Sequence, residues 1–379
     1  MMKISINRQY FIDQLNHSLK AISPTTTTPI LHGIKLEVTE DELILVSSNS
    51  EISIEITIPT EIDNEEILEI HQTGAVVILG RFFVEIIKKL DGDFVHIEST
   101  SGNTTTISSG KSKYDLQTYD ANQYPLLPDV NNENAVTFPA SILKNIINHT
   151  VFAVSTSETR PVLTGVHLES HEDGLNFTAT DSHRLSFRKL EDSSYSLGEL
   201  TAVIPGKSLI ELNKIIADSD ETVEVYFSQN QVLFTYRNIR LISRLIEGKY
   251  PDTSRFIPTN FETSFTVSKQ EFYHAIDRVS LLARESRSNQ AVKLIVQDGQ
   301  VRVSSQSAEI GFADEDVNVN NLEGNDFKIA FHAKYMLDAL KSIQDDEVSV
   351  QFSGEIRPFI ITPIESDEIT QLIVPIRTY

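Results

Sequence analysis

"PVLTGVHLESHEDGLNFTATDSHRLSF", from Pro161 to Phe187, occurs three times in this chain in altered form. The other copies are "PILHGIKLEVTEDELILVSSNSEISI" from Pro29 and "QAVKLIVQDGQVRVSSQSAEIGF" from Gln290. Gly33, Gly165 and Ala291 correspond, at offsets of 132 and 126 residues. A helix-like segment precedes each copy: "RQYFIDQLNHSLKAI", "PASILKNIINHTVFAV" and "KQEFYHAIDRVSLLA". A second one follows: "GRFFVEIIKKL", "GKSLIELNKII" and "AKYMLDALKSI", in which Arg81, Lys207 and Lys334 correspond. A repeat of this length is a whole domain rather than a solenoid unit. The Pro- and Asp-rich stretches "NQYPLLPD" and "EGKYPDTSRFIP" read as linkers. The expected domains are therefore 1–128, 129–257 and 258–379. Each helix is followed by alternating strands such as "ISIEITI", "VEVYF", "VRVSS" and "FIITPI". The fold class expected is α+β: each domain is two similar halves, with helices on one side of antiparallel sheets. Repetition alone is equally compatible with gene duplication that carries no functional geometry.

The 379-residue length suits two or three such domains, and 40% hydrophobic with 23% charged residues is ordinary for a globular chain. No apolar run approaches the ~18 residues of a membrane span. The start, "MMKISINRQYF", lacks the apolar core of a signal peptide. Cysteine is absent, which excludes disulfides and cysteine-based metal sites and fits a cytoplasmic setting. The net charge of −22 by itself argues against nucleic acid and against an anionic membrane surface. Its distribution argues otherwise. All six helix-like segments are net positive and together carry +7, which leaves −29 for the rest of the −22 total. Six basic helices on one side of the sheets would make one positive face on an acidic body, which tolerates a polyanion there and repels it elsewhere. Any single helix fits a solvated face equally well.

"ATDSHRLSF" (Ala179 to Phe187) places Asp181, Ser182, His183 and Arg184 in a row. Read as one continuous strand, it puts Asp181 and His183 on one face and Ser182 and Arg184 on the other. Ser182 and His183 then cannot form a nucleophile–base pair. No Gly-x-Ser-x-Gly elbow surrounds Ser182, and no His-x-x-x-His ligand pair occurs. "GKS" at Gly206 lacks the upstream glycine of a phosphate loop. Catalysis, a metal and a cofactor are accordingly not expected. The first-domain counterpart is Ser48, Asn49, Ser50, Glu51, Ile52, so the small polar residues are shared and the His-Arg pair belongs to the middle domain.

With the threefold repeat, "TDSHRL", "LIEGKYPD" and the ending "LIVPIRTY", the whole chain resembles the bacterial sliding clamps, the β subunits of replicative DNA polymerases. The resemblance implies two protomers closed head to tail as a dimeric ring, with duplex DNA passing through and held without regard to sequence. It implies a non-catalytic processivity factor that tethers the replicative polymerase, the clamp loader, translesion polymerases and repair proteins through a short Gln/Leu/Phe-rich motif. Carried over residue by residue, the docking pocket comprises Leu163, Thr180, Ser182, His183, Arg184 and Leu185. The linker adds Pro251, Arg255 and Phe256, and the last domain adds Ile356, Pro358, Val374, Pro375, Ile376 and Arg377. Arg81, Arg160, Lys207 and Lys334 are the implied DNA contacts, with Lys88, Lys144, Lys214, Arg284 and Lys341 as further helix cations. Two departures touch this set. The turn around Thr25 reads "TTTTP" where some clamps carry a basic residue, and Pro161 and Val162 replace paired aromatics after Arg160. The implied dimer contacts are Lys111, Lys113, Tyr114 and Leu116 on one side, and Leu281, Leu282 and Glu309 on the other, with opposite charges on two edge strands. Two other readings remain at this point: a protein-binding scaffold that never encircles DNA, and a hydrolase using His183 and Asp181.

Overall fold

The computed structural model describes residues 1–23, 26–100, 103–127, 130, 135–285 and 291–377. Thr25, the position of the boundary near 128 and the side chain of Arg284 lie outside the described residues.

One order of elements, strand–helix–strand–strand–strand, occurs six times. The first module is Met2–Asn7, α1 (Arg8–Ser18), Gly33–Val38, Glu42–Ser48 and Ile52–Pro59. The second is Gly74–Leu79, α2 (Gly80–Lys89), Phe94–Ser99, Thr104–Ser109 and Ser112–Tyr119. The third is Ala135–Pro139, α3 (Ala140–Thr150), Gly165–His171, Gly174–Thr180 and Arg184–Leu190. The fourth is Thr201–Pro205, α4 (Gly206–Asn213), Thr222–Phe227, Gln231–Tyr236 and Ile239–Arg244. The fifth is Thr263–Ser268, α5 (Lys269–Glu285), Ala291–Gln297, Gln300–Ser307 and Gly311–Val317. The sixth is Phe327–His332, α6 (Ala333–Ser342), Glu347–Phe352, Phe359–Pro363 and Ile369–Ile373.

The two halves of each repeat are interlocked. The strand before each helix pairs, antiparallel, with the strand after the helix of the sibling half. Met2–Asn7 pairs Phe94–Ser99 and Gly74–Leu79 pairs Gly33–Val38, and the same exchange occurs in the middle and last repeats. Neither half can complete its sheet alone. The strands alternate as a one-sided sheet requires: along Glu347–Phe352 every second residue is buried. On α2, Phe83, Val84 and Ile87 turn inward at helical spacing while Arg81, Lys88 and Lys89 face solvent.

The chain forms two compact units, one of residues 1–141 with 211–245, the other of residues 142–210 with 246–379. They cut the middle repeat through α3 and α4 and so do not coincide with the sequence repeats. The reason is the strand pairing between repeats. In the first unit Ile52–Pro59 pairs Ile239–Arg244, which makes a continuous sheet of 13 strands. In the second, Arg184–Leu190 pairs Ile369–Ile373 within a nine-stranded sheet, beside a sheet of four.

The stretch around Asp181 differs from the continuous strand expected. It is a hairpin: Gly174–Thr180 and Arg184–Leu190 pair with each other, with Thr180 opposite Leu185. Ser182 sits in the left-handed region at φ 76°, and Ser50 holds the same place in the first repeat at 77°. Alternation of apolar residues persists through the turn because both strands cover the same core. Three polar residues can therefore reverse the chain without breaking that pattern.

His149 on α3 is buried with neither ring nitrogen hydrogen-bonded, and burial first, then the nearby Arg188 cation, holds it down at about 4. A histidine depressed in the folded state stabilises the protein above its unfolded value of 6.5 and loses that contribution as pH falls towards 4. Acidification from pH 7 to pH 5 should cost about 2 kcal/mol through this residue. His149→Phe should flatten that part of the pH dependence in thermal unfolding of the whole chain. An unchanged slope would place the acid sensitivity elsewhere.

Candidate functional site

The turn at Asp181 is built by its own side chain. Asp181 Oδ1 accepts from the backbone N–H of His183 at 2.9 Å and of Arg184 at 3.0 Å. The hydroxyl of Thr180 donates to the Arg184 carbonyl at 2.6 Å and accepts from the Ser182 N–H at 3.1 Å. This capping fixes the direction in which Arg184 leaves the strand. Its buried guanidinium donates to Asp181 Oδ2 at 3.0 Å, to Asp338 Oδ2 at 2.6 Å and to the Phe152 carbonyl at 2.6 Å. It also lies over two rings, 5.3 Å from the centre of Phe152 and 4.7 Å from that of Tyr335. All of its nitrogens are engaged, so Arg184 acts as a keystone of the wall more than as a free donor to a ligand. Burial first, then the Arg184 and Lys334 cations, lowers His332 below its ordinary value, and burial raises Tyr335.

Beside this keystone lies a cavity of about 370 Å³. Of the expected pocket residues, Leu163, Thr180, Ser182, Arg184, Leu185, Pro251, Phe256, Pro358 and Val374 line it. Two buried apolar clusters floor it, Leu163 with Val203 and Tyr250, and Leu185 with Ile360 and Leu372. The exposed ring of Phe256 stands at the rim. Thr253 and Leu372 also line the cavity, and Arg160, expected among the DNA contacts, lies in its wall.

The other expected pocket residues lie outside that lining. His183 sits in the turn, its ring parallel to that of Tyr335 at 6.3 Å. Its carbonyl accepts from the Val374 N–H at 2.9 Å, which ties the C-terminal segment to the turn. Pro375, Ile376 and Arg377 continue that segment, anchored by Ile376 N–H to the Ala330 carbonyl at 2.8 Å. Arg255 is exposed and pairs with Asp252 at 3.1 Å. Ile356 is exposed as well. Ser182 and His183 lie in the turn and not on opposite faces of one strand, and the Asp181 carboxylate is used by the turn and by Arg184, so it is not available to orient a histidine.

Arg81, Lys207 and Lys334 all project into solvent from the first turn of the second helix of their repeats. Lys207 lies 3.8 Å from Glu158, and Lys334 bonds Asp338 at 2.6 Å. Both pairs have their lysine in solvent and constrain it little. Lys88 lies 3.7 Å from Glu85, and Lys214 bonds Glu211 at 2.8 Å. Lys341 is exposed, and Lys144 is half-buried. On the presumed dimer surfaces, Lys113 and Tyr114 are exposed on Ser112–Tyr119, with Leu116 half-buried. Leu281 is exposed and Leu282 half-buried on α5. Lys111 and Glu309 occupy hairpin turns, not the edge strands expected, because the reversals take Gly110 and Lys111, and Ala308 to Ile310, out of the ladder. Phe82, Ile310 and Phe312 are exposed too, and polarity patterning does not single them out. Among the described residues no group of three or more His, Cys, Asp or Glu is placed to hold a metal ion, and no helix is long and apolar enough to cross a membrane.

Six interlocked modules in three repeats, with an apolar cavity beside a capped hairpin, define a DNA-clamp fold. Three family models match in order: the N-terminal domain of the DNA polymerase III beta subunit over residues 2–128, its central domain over 137–252 and its C-terminal domain over 254–377. The beta sliding clamp of Staphylococcus epidermidis is 54% identical over 379 residues, all of both chains. That of Staphylococcus aureus is 53% identical over the same span. The crystal structure of the DNA polymerase sliding clamp from Bacillus subtilis matches with TM-score 0.96 at 45% identity and complete coverage of both chains. The beta chain of DNA polymerase III from Streptococcus pneumoniae matches at 0.95 and 36%, again over all of both chains. The chain belongs to the DNA polymerase III beta subunit family, the sliding clamps, which are non-catalytic processivity factors of DNA polymerase.

Arg184→Lys keeps the charge but cannot reproduce three fixed contacts and two ring faces. It should lower the melting temperature by roughly 2–5 °C. A variant that melts with the parent would show that Arg184 does not hold the turn.

Proposed function

We propose that two copies of the chain close head to tail into a ring around duplex DNA, and that the cavity beside Arg184 takes a short apolar peptide of replication and repair proteins. The observation that carries the ring is a pair of strand edges left over by the repeat. The last strand of the first module pairs with the last strand of the fourth, and that of the third with that of the sixth. One strand of this series remains on each side. Gly311–Val317 ends its sheet and has no outer neighbour among the described residues. Ser112–Tyr119 meets Gly74–Leu79 only at Thr118 and Tyr119, which leaves the rest of its outer edge open. A third joint of the same kind therefore needs a second copy, and two such joints close a ring.

Both repeats also expose apolar residues. Phe82 and Tyr114 belong to the first repeat and are 71% and 40% exposed, and Leu281 and Phe312 belong to the last and are 57% and 62% exposed. Lys111 and Lys113 would face Glu309, Asp314, Glu315 and Asp316. Much of that acidic row is already met from within its own repeat, by Arg302 at 2.7 Å from Asp316 and by an Arg278–Glu315 pair. The apolar contacts then carry more of the joint than the charges do. Leu281→Asp should turn the dimer into a monomer in light scattering at micromolar concentration, and a persistent dimer would remove Leu281 from the joint.

Arg81, Lys207 and Lys334, with Arg160, supply mobile cations to phosphates and read no base, as sliding requires. The chain should be retained on nicked circular DNA and released when the circle is linearised, since escape through free ends is peculiar to topological linkage. Replacing Arg81, Lys207 and Lys334 by Ala should leave retention on the circle and flatten the salt dependence by roughly one unit of slope for each phosphate no longer neutralised. Equal retention on linear DNA would overturn the ring.

The apolar floor of Leu163, Leu185 and Leu372 suits Leu and Phe side chains, and the Thr180 and Ser182 rim suits a polar residue. The replicative polymerase, the clamp loader, translesion polymerases and repair proteins that carry a Gln/Leu/Phe-type motif are the proposed partners.

A further inference from the structure

The first compact unit contains a second groove built to the same plan. Leu31, Ser50 and Ile242 line it where Leu163, Ser182 and Leu372 line the larger cavity. The backbone clasp is the same: Arg244 N–H donates to the Glu51 carbonyl at 3.1 Å, as Val374 N–H donates to that of His183 at 2.9 Å. The volumes differ, about 130 Å³ against about 370 Å³. The difference follows the linkers. "YPLL" (Tyr124 to Leu127) enters the first groove and "YPDT" (Tyr250 to Thr253) the second, so Leu127 and Thr253 hold equivalent places. Leu127 packs at once on the cluster of Leu31 and Tyr124 and on that of Leu233 and Ile242. In the second unit the matching clusters stay separate, with the open cavity between them and Thr253 at its wall.

We infer that the third residue after the linker tyrosine decides which groove accepts a partner: Leu127 occupies the first groove from within the chain, and Thr253 leaves the second open. The leucine bridges two apolar clusters that otherwise present their surfaces to water, which is the contact an entering aliphatic side chain would make. Threonine is shorter and carries a hydroxyl, so it cannot span the gap. One docking site per chain thus results from a difference between linkers and not from a missing groove.

The inference rests on the docking reading of the larger cavity, and two measurements separate them. The first is calorimetric titration of the full-length chain with a synthetic Gln/Leu/Phe-rich peptide. Wild type and Thr253→Ser should bind, and Thr253→Leu should bind at least about tenfold more weakly because its own side chain fills the gap. The second is thermal melting, which involves no peptide. Thr253→Leu should raise the melting temperature, and Leu127→Thr should lower it by about 2–5 °C. If wild type binds no peptide, the docking reading falls and melting alone judges the linker. Peptide binding by Thr253→Leu equal to wild type, or a Leu127→Thr chain that melts with the parent, would overturn the inference.

Discussion

The structure depends on antiparallel strand pairing that always reaches outside the local element. Each helix is flanked by a strand on either side, and these two strands never complete a sheet with one another. The strand before the helix is taken up by the sibling half, as Met2–Asn7 is by Phe94–Ser99. The last strand of the first module is taken up by the following repeat, as Ile52–Pro59 is by Ile239–Arg244. An unpaired strand edge exposes backbone donors and acceptors, so each level of pairing creates the demand that the next level meets. Half-domains require siblings and repeats require successors. Of the strands that close the six modules, four pair across repeats, and Ser112–Tyr119 and Gly311–Val317 keep open edges among the described residues, which suits a closed assembly of copies. The boundaries of the compact units through α3 and α4 are the same fact seen from within one chain.

The cavity beside Arg184 is a by-product of that joint. Where Arg184–Leu190 meets Ile369–Ile373, the hairpin turn at Asp181 and the segment after Ile373 must end side by side, clasped by Val374 and His183. The linker after Arg244 passes the same place on its way to the last repeat. A hairpin, a strand end and a linker cannot all fill one corner, and a gap floored by sheet residues remains. Arg184 keeps the gap from collapsing. It is anchored to Asp181 in its own turn and to Asp338 on α6, with the Phe152 and Tyr335 rings on its faces. Asp338 also bonds Lys334 at 2.6 Å, so what depends on Arg184 alone is the link between the Asp181 turn, the Phe152 carbonyl and α6.

Much of this is legible in the sequence, and the parts that are not share a cause. The threefold repeat, the two halves per repeat and the helix positions follow from long periodic segments, where side-chain periodicity and fold agree. Leu163, Leu185, Pro251, Pro358 and Val374 can be placed in one cavity through the family pattern. Turns are harder. "ATDSHRLSF" reads as one strand because its apolar alternation runs through the reversal, and the signal for the turn is a single Asp whose carboxylate caps two backbone N–H groups. Lys111 and Glu309 fall on strands by the same reading and in turns by the structure. Residues that work through distant partners are also hidden. Asp338 and Tyr335 lie on a helix whose charge pattern suggests only a solvated or DNA-facing surface, and nothing local marks them as the supports of Arg184. Phe82 and Phe312 are apolar by type and exposed in the fold, which their residue type alone does not reveal.

The two linkers show how little sequence separates a filled groove from an open cavity. The grooves share their hairpin, their clasp and the positive φ at Ser50 and Ser182. Their side chains diverge in one direction. Ser53, opposite Ile242 in the ladder, stands where Leu185 faces Leu372, and Arg244 stands where Val374 does. The first groove is thus polar around a leucine supplied from within, and the second is apolar around a gap. A polar rim is no obstacle when the occupant is covalently attached, because its local concentration is always high. An occupant that must arrive from solution needs desolvated apolar walls to offset the entropy of association. That contrast accounts for the placement of Leu, Val and Pro around the second cavity and for the serines around the first, without any difference in fold.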